Sequence, residues 1–182
     1  MNMKKNEKAV RFHILLLLLL MSGTVFHTPP NALSADKPDL YRVNVESREV
    51  TNRIVESRVR GHRVLVDQPK EFGADDVAPS PPEYLAVAYS TCVVSTLRLV
   101  AALDKLEIGD IDVRVEGEID FSKAMGRATA NRAGFTGLTV RIGFESDLSE
   151  AEKRAFVRKA MERGAVLDNF TNSTPVSYEI SE

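Results

Sequence analysis

One stretch of this sequence constrains the fold more than any other. From residue 83 to about residue 104, apolar residues follow one another without a polar stripe between them: Leu85, Val87, Tyr89, Val93, Val94, Leu97, Leu99, Val100 and Leu103. A helix with no polar face is one that other elements must cover on all sides. Pro81 and Pro82 fit its first turn, where the missing N–H of proline is tolerated. We therefore predict a long, buried, central helix.

The segments around this helix alternate apolar and polar residues, which is typical of strands. We predict strands over residues 41–50, 53–69 (one or two strands, with a bend at Gly61), 109–121, 135–146 and 175–180. Residues 70–82 contain three prolines and are predicted to form a loop. Ser149 and Glu152 form a capping box that opens a second helix, and Gly164 is suited to end it. This order of elements predicts an α+β domain.

The first 34 residues differ in kind from the rest. Lys4, Lys5 and Lys8 precede an apolar run at residues 14–21, and Ala32 and Ser34 suit the −3 and −1 positions of a cleavage site. This pattern indicates a secretory signal peptide. An uncleaved anchor is the alternative, but the run is short for a span of about 20 residues. We predict a signal peptide at residues 1–34, one domain at residues 35–182, and a periplasmic or secreted protein without membrane attachment after cleavage.

Cleavage there leaves 20 basic and 25 acidic residues, a net charge of −5. A mildly acidic chain without a basic cluster argues against nucleic acid as a partner. The mature chain keeps one histidine, His62, and one cysteine, Cys92, whereas a zinc site of these residue types needs about four ligands. Asp75, Asp76 and Glu83 lack the spacing of an EF-hand loop and are interpreted as solvated charge. We expect no metal and no cofactor.

Cys92 lies in the middle of the predicted central helix. A single cysteine cannot form a disulfide within its own chain, so it is inert, reactive or paired with another molecule. A cysteine on an apolar helix is often only a small hydrophobic residue. Tyr89, Ser95 and Thr96 share its face, however, and a nearby cation would favour the reactive thiolate. The preceding strands supply candidate cations, and the sequence leaves open which one faces inward: Arg53, Arg58, Arg60 and Arg63.

The segment HRVLVDQPKEFGADDVAPSPPEYLAVAYSTCVVSTLRLVA, residues 62–101, resembles the OsmC/Ohr family of osmotically inducible and organic hydroperoxide resistance proteins. The likeness comprises a VDxP strand end, a GxDD…PxPxEYL loop leading into a helix, and a cysteine in that helix. The later strands and the ERGAVLDNF…PVSYEI ending extend it over residues 41–180. The resemblance implies an OsmC-like fold, with antiparallel sheets around a long central helix, and an intertwined homodimer with a site at the subunit interface.

The resemblance also implies a chemistry. Enzymes of the family are thiol peroxidases, in which a cysteine held by an arginine and a glutamate attacks an organic hydroperoxide and a second cysteine then closes a disulfide. Cys92 matches the attacking cysteine, and Arg58 or Arg60 and Glu83 are the candidates to hold it. Gly164 stands in place of the second cysteine. Glu83 lies about 13 Å along an ideal helix from Cys92, so it would serve the site only from the partner chain or through a distorted first turn.

The sequence leaves three functional hypotheses open. The first is a one-cysteine peroxidase that reduces organic hydroperoxides and is reset by an external thiol. The second is an exported, non-enzymatic domain that binds a hydrophobic small molecule at its dimer interface. The third is a purely structural dimer.

Overall fold

The computed structural model describes residues 39–181, so the predicted signal peptide and its cleavage point lie outside the described residues. The elements follow in the order β1 (Glu46–Thr51), β2 (Ile54–Val59), β3 (His62–Val66), a short 3-10 helix (Lys70–Phe72), α1 (Pro81–Asp104), β4 (Ile111–Ile119), β5 (Phe135–Phe144), α2 (Glu150–Met161) and α3 (Ala165–Thr171). This arrangement confirms the predicted α+β class with antiparallel sheets and a long helix.

The strands form two separate antiparallel sheets. In the first, β2 lies between β1 and β3, and the turn from β2 to β3 is made by Arg60 and Gly61, both with positive φ. Gly61, at φ 104°, is the bend that the sequence predicts, because glycine adopts this conformation without steric cost. In the second sheet, β4 pairs with β5 from Ile111 opposite Phe144 to Ile119 opposite Phe135.

The hydrophobic core lies where α1 packs against the β4–β5 sheet and against α2 and α3. Its buried members are Val93, Leu97, Val100, Ala101, Phe156, Ala160 and Leu167. The rings of Phe144 and Phe156 meet edge to face, with centroids 5.6 Å apart. Full burial of an aliphatic or aromatic side chain of this size contributes about 1.5–3 kcal/mol, so these contacts fix one face of α1 in the molecule.

The start of α1 is fixed by hydrogen bonds of two of its side chains, Glu83 and Tyr84. Ser80 is the N-cap, and Glu83 folds back so that its Oε2 accepts hydrogen bonds from the backbone N–H and the hydroxyl of Ser80, both at 2.7 Å. The hydroxyl of Tyr84 donates to the carbonyl of Leu65, at the end of β3, at 2.6 Å. The helix therefore begins with a regular first turn that is anchored to the first sheet.

One chain alone does not bury α1 on all sides, so full burial of the helix stays a prediction for the homodimer that the resemblance implies. Four of its apolar side chains remain between 45% and 60% exposed: Leu85, Val87, Leu99 and Leu103. The covered side of the helix is the one that meets the β4–β5 sheet, α2 and α3. The other side presents apolar residues that nothing in the described chain covers.

The prediction of a last strand at residues 175–180 is also wrong. The segment has no regular secondary structure, and Val176, Tyr178 and Ile180 are exposed by 69%, 91% and 98%. The alternation that indicated a strand is present, but in the described residues no strand lies beside it to accept its hydrogen bonds.

Gly164 does not end the second helix as predicted. That helix, α2, ends at Met161, and Gly164 is instead the N-cap of α3, with φ −84°. The seven residues of α3 were not predicted as a separate helix. Their short apolar run places Leu167 in the core and Phe170 beside α1.

Candidate functional site

Cys92 sits at the edge of the core on α1. It is partly buried, while its neighbour Val93 is fully buried. Its sulfur lies 3.8 Å from the hydroxyl oxygen of Thr96, one turn further along the helix. Tyr89 lies one turn before it, and the ring of Tyr89 packs edge to face on Phe170 of α3, with centroids 4.8 Å apart. The thiol therefore lies beside a buried hydroxyl and one helical turn after Tyr89, a member of an aromatic pair.

The hydroxyl of Thr96 makes a different contact from those of Ser90 and Thr91 on the same helix. Ser90 and Thr91 donate back to the carbonyl of Val87, at 3.0 and 2.8 Å, which is usual for such residues in helices. Thr96 is only 6% exposed, and within residues 39–181 its side chain has the sulfur of Cys92 as its sole partner. Because a thiolate can only accept a hydrogen bond, Thr96 is placed to donate to it.

Glu83, a candidate to hold the thiol, has a different role within its own chain. Its carboxylate accepts two hydrogen bonds from Ser80. The bond from the backbone N–H, followed by the bond from the hydroxyl, holds the pKa of Glu83 below its usual value. The first turn of α1 is regular, so a distorted turn does not bring Glu83 to Cys92. Within one chain, Glu83 is a helix cap.

Two of the candidate arginines, Arg58 and Arg63, contact a different residue, Glu56 of β2. Glu56 is only 5% exposed, and the guanidinium groups of Arg58, Arg63 and Arg48 all reach its carboxylate, with Arg58 Nη2 at 2.9 Å from Oε1. The hydrogen bonds from Arg63 and then Arg58 lower the pKa of Glu56. Arg60 lies in the exposed turn after β2. Neither Arg58 nor Arg60 makes a hydrogen bond or ion pair with Cys92 in the described chain.

Arg53, the remaining candidate arginine, packs against the loop that leads to α1. A Cβ placed on Gly73 would lie 3.6 Å from Nη1 of Arg53, so the guanidinium covers this glycine. The same loop is held by Asp67, which is fully buried and accepts hydrogen bonds from the backbone of Gln68 and Val77. The bond from Val77 is the main reason that the pKa of Asp67 is lowered. The VDxP strand end of the resemblance includes Asp67, but no role was predicted for this residue from the sequence, although an aspartate just before a Gln–Pro pair is a recognisable turn signal.

A cavity of about 810 Å³ opens beside the Tyr89–Phe170 pair. Most of its lining is apolar, and its larger side chains are Leu85, Tyr89, Phe121, Phe135, Leu138 and Phe170. Cys92 does not line it, although Tyr89 joins the face of α1 that carries Cys92 to the cavity wall. The arrangement thus offers a thiol beside a hydroxyl donor and, next to it, a separate volume suited to an apolar molecule.

The part of the chain that the structure describes includes the acidic residues Asp75, Asp76 and Glu83. No group of three or more His, Cys, Asp or Glu side chains is arranged there to hold an ion. Of the acidic cluster before α1, Asp75 accepts a hydrogen bond from the side chain of Asn52 at 3.2 Å, and Glu83 caps the helix.

The loop, the helix and the cysteine described above fall inside a match to a family model. The model of the OsmC-like protein family matches residues 73–179, more than half of the chain. The chain belongs to this family. The match includes Cys92 and all of α1, and it extends over β4, β5, α2 and α3.

Solved structures of OsmC-like proteins share the fold. An OsmC-like protein from Mycoplasma pneumoniae has a TM-score of 0.63 at 15% identity, over 73% of this chain and 89% of the other. An organic hydroperoxide resistance protein OsmC from Legionella pneumophila has a TM-score of 0.55 at 25% identity, over 73% and 91%. One from Elizabethkingia anophelis has a TM-score of 0.56 at 22% identity, over 74% and 91%. No curated protein sequence matches the chain.

Proposed function

We propose that this OsmC-like protein is a one-cysteine, thiol-dependent peroxidase that reduces organic hydroperoxides, with Cys92 as its nucleophile. The observation that carries the proposal is the position of the thiol: partly exposed at the core edge, 3.8 Å from a buried hydroxyl. A fully buried cysteine would not meet a peroxide, whereas Cys92 is only partly buried and has a donor for its anionic form. The family includes organic hydroperoxide resistance proteins, which supports this chemistry.

The reaction balances with one external reductant. The thiolate sulfur of Cys92 attacks one peroxide oxygen, the O–O bond breaks, and the leaving alkoxide takes a proton to become the alcohol. Cys92 is then a sulfenic acid. Since it is the only cysteine of the chain, two thiols of an external dithiol must reduce it, releasing water and leaving the dithiol as a disulfide. Until they do, a second peroxide can drive the sulfur to the irreversible sulfinic form.

We propose further that the active form is a homodimer. The exposed apolar side of α1 supports this, because Val87, Leu99 and Leu103 are 49–60% exposed on a helix that is apolar nearly all round. In such a dimer, Arg58 or Arg60 and Glu83 would hold the thiolate from the partner chain. Both arginines are exposed, which leaves them accessible to a second subunit.

The proposed place of action is outside the cytoplasm, in the periplasm or the extracellular medium. The support is the sequence of residues 1–34, with its basic start, its apolar run and its small residues before the predicted cleavage point. An exported peroxidase of this kind would depend on a thiol reductant available in that compartment.

The direct test is a single-turnover measurement. Reduced protein is mixed with an equimolar organic hydroperoxide, and intact mass is followed together with formation of the alcohol. We expect one oxygen atom to be added at Cys92, one alcohol to be released per chain, and repeated turnover when a dithiol is supplied. Cys92→Ala should show none of these three results. If Cys92→Ala consumes the hydroperoxide as fast as the wild type, the peroxidase proposal is wrong.

A second candidate function is the non-enzymatic binding of a hydrophobic small molecule. It is favoured by the 810 Å³ apolar cavity, a volume within the range of about 300–1,000 Å³ that is usual for ligand pockets. Organic extraction of the purified protein followed by mass spectrometry tests it. We expect a copurifying apolar compound in equal amount from wild type and Cys92→Ala, because Cys92 does not line the cavity. An empty extract from both proteins would count against this function.

A further inference from the structure

The cavity beside Tyr89 and Phe170 has a single charged lining residue, Arg132. Three other polar side chains line it; the neutral hydroxyl of Tyr89 is one, and the other two are already engaged within the protein. Asn169 donates to the carbonyl of Ala165 at 2.8 Å, and the hydroxyl of Thr136 donates to the carbonyl of Glu118 at 3.1 Å. No carboxylate lines the cavity among the residues that the structure describes. Its polarity is therefore set mainly by one cation.

Within residues 39–181, Arg132 makes neither an ion pair nor a hydrogen bond. Its side chain lies over Gly134, where an added Cβ would be 3.4 Å from Nη2, and both residues line the cavity. Arg132 is exposed, so the charge lies at the mouth of the cavity rather than in its depth. Because water screens an exposed charge only in part beside an apolar wall, such a cation attracts anions to that mouth.

The loop that carries Arg132 is held in place by Asp120, at the end of β4. The carboxylate of Asp120 accepts hydrogen bonds from the hydroxyl of Thr129 at 2.6 Å, the side chain of Asn131 at 3.0 Å and the backbone of Ser122 at 2.8 Å. Asn131 directly precedes Arg132. The backbone at the mouth of the cavity is thus fixed before any ligand arrives, which lowers the entropic cost of binding.

We infer that this cavity binds an amphipathic anion: a carboxylate with a single apolar chain. The chain lies against the aromatic and aliphatic wall formed by Tyr89, Phe135, Leu138 and Phe170, and the carboxylate pairs with Arg132 at the mouth. A charged ligand is favoured over a neutral one of equal length, because only the anion neutralises the guanidinium. The inference rests on the second candidate function, binding of an apolar molecule, and adds the charge and shape of that molecule.

The test compares a fluorescent polyene fatty acid with its methyl ester, which has the same chain and fluorophore but no charge. Each is titrated into the wild type, Arg132→Gln and the matched control Arg127→Gln, which changes an exposed arginine of the same loop that does not line the cavity. We expect the wild type to bind the acid about tenfold more tightly than the ester, the ratio for one charge-assisted contact. Arg132→Gln should remove that preference and leave ester binding unchanged, while Arg127→Gln should behave as the wild type.

Each other outcome has a definite meaning. If acid and ester bind equally to the wild type, or if Arg132→Gln keeps the preference for the acid, the inference is wrong while apolar binding stands. If neither compound binds the wild type, both the inference and the second candidate function are wrong. The titration is repeated with Cys92→Ala, which should bind as the wild type, so that the result is independent of the proposed peroxidase chemistry.

Discussion

The hydroxyl oxygen of Thr96 lies 3.8 Å from the sulfur of Cys92, one turn further along α1. Since this hydroxyl has no other partner in the described chain, it is available to stabilise a thiolate. We expect Thr96→Val to slow alkylation of Cys92 by iodoacetamide at neutral pH by about tenfold, the effect of losing a hydrogen bond to a charged group worth about 1.5 kcal/mol. Thr96→Ser should keep a rate near that of the wild type.

Thr91 supplies the control for that measurement. Its hydroxyl donates to the carbonyl of Val87 and not to the sulfur, so Thr91→Val should leave the alkylation rate unchanged. Urea unfolding of each variant separates a change at the thiol from a general loss of stability. A Thr96→Val protein that reacts as fast as the wild type would show that the hydroxyl does not act on the thiolate.

The loop of residues 121–134 is predicted to open when Asp120 is replaced. The hydrogen bond from Thr129, followed by those from Ser122 and Asn131, holds the pKa of Asp120 far below its usual value, so the carboxylate stays ionised and bonded near neutral pH. We expect trypsin to cut this loop several-fold faster in Asp120→Ala than in the wild type, and Asp120→Asn to be intermediate because it keeps one acceptor oxygen. Equal cleavage of all three proteins would contradict this role of Asp120.

Glu56 is predicted to make stability depend on pH. Its pKa is lowered by Arg63 and then Arg58, so its contribution is fully present above the pKa it has in the unfolded chain and is lost as pH falls through its folded pKa. We expect the wild type to lose stability between about pH 5 and pH 3, and Glu56→Gln to lack that part of the loss while being less stable at neutral pH. Urea midpoints measured at neutral pH and at both ends of that acid range test the two expectations.

The control for that experiment is Glu49→Gln. Glu49 is exposed on β1 and has no ion pair in the described part of the chain. Its removal should leave both the stability at neutral pH and the acid-induced loss nearly as in the wild type. If Glu49→Gln and Glu56→Gln behave alike, the arginine cluster is not the cause of the pH dependence.

Much of the fold could be predicted because it is determined by local chemistry. The apolar run of α1 predicts a long helix that packs on a core, Gly61 supplies the positive φ of the β2–β3 turn, and Ser149 with Glu152 opens α2. The segment 175–180 could not be predicted in this way. Alternation shows that a segment fits a sheet edge, but whether an edge is available depends on tertiary or quaternary structure.

The candidate site was predictable to a lesser degree. Cys92 is identified by resemblance, but the position of each arginine depends on where β2 ends and on what it faces. In a regular strand Arg58 and Arg60 would lie on one face, but β2 ends at Val59, so Arg60 falls in the turn. Arg58 turns towards Glu56, a buried carboxylate whose need for cations no local pattern reveals.

Because one side of α1 is apolar and exposed, we predict that a single substitution there dissociates the proposed homodimer. We expect Leu99→Lys to give the mass of one chain in light scattering where the wild type gives two. In a dimer of this variant, each chain would lose an apolar contact worth about 1.5–3 kcal/mol and would bury a charge. Val77→Lys is the control, because Val77 is similarly exposed, at 59%, but lies in the loop before α1. A monomeric wild type, or a Leu99→Lys protein that stays dimeric, would show that this side of α1 is not the interface.

Gly164, which the sequence resemblance matches to a second cysteine, leaves little room for a side chain. A Cβ built on it would lie 2.5 Å from Cδ1 and 2.6 Å from Cγ of Leu167, which is 5% exposed in the core. Its φ of −84° suits any residue, so the obstacle is packing and not backbone strain. We expect Gly164→Ala to lower the free energy of unfolding by about 1–3 kcal/mol, the cost of overpacking a core.

Gly143→Ala is the matched control, since a Cβ on Gly143 in β5 would meet nothing within 4 Å. Its effect in urea unfolding should stay within about 0.5 kcal/mol. An equal loss in both variants would mean that the clash with Leu167 is relieved without cost. Gly164→Cys carries the same Cβ as Gly164→Ala, so a thiol introduced there must displace Leu167 from the core before it can face Cys92. For that reason we expect Gly164→Cys to lose stability as Gly164→Ala does, and a second thiol alone to be insufficient for a disulfide cycle in this chain.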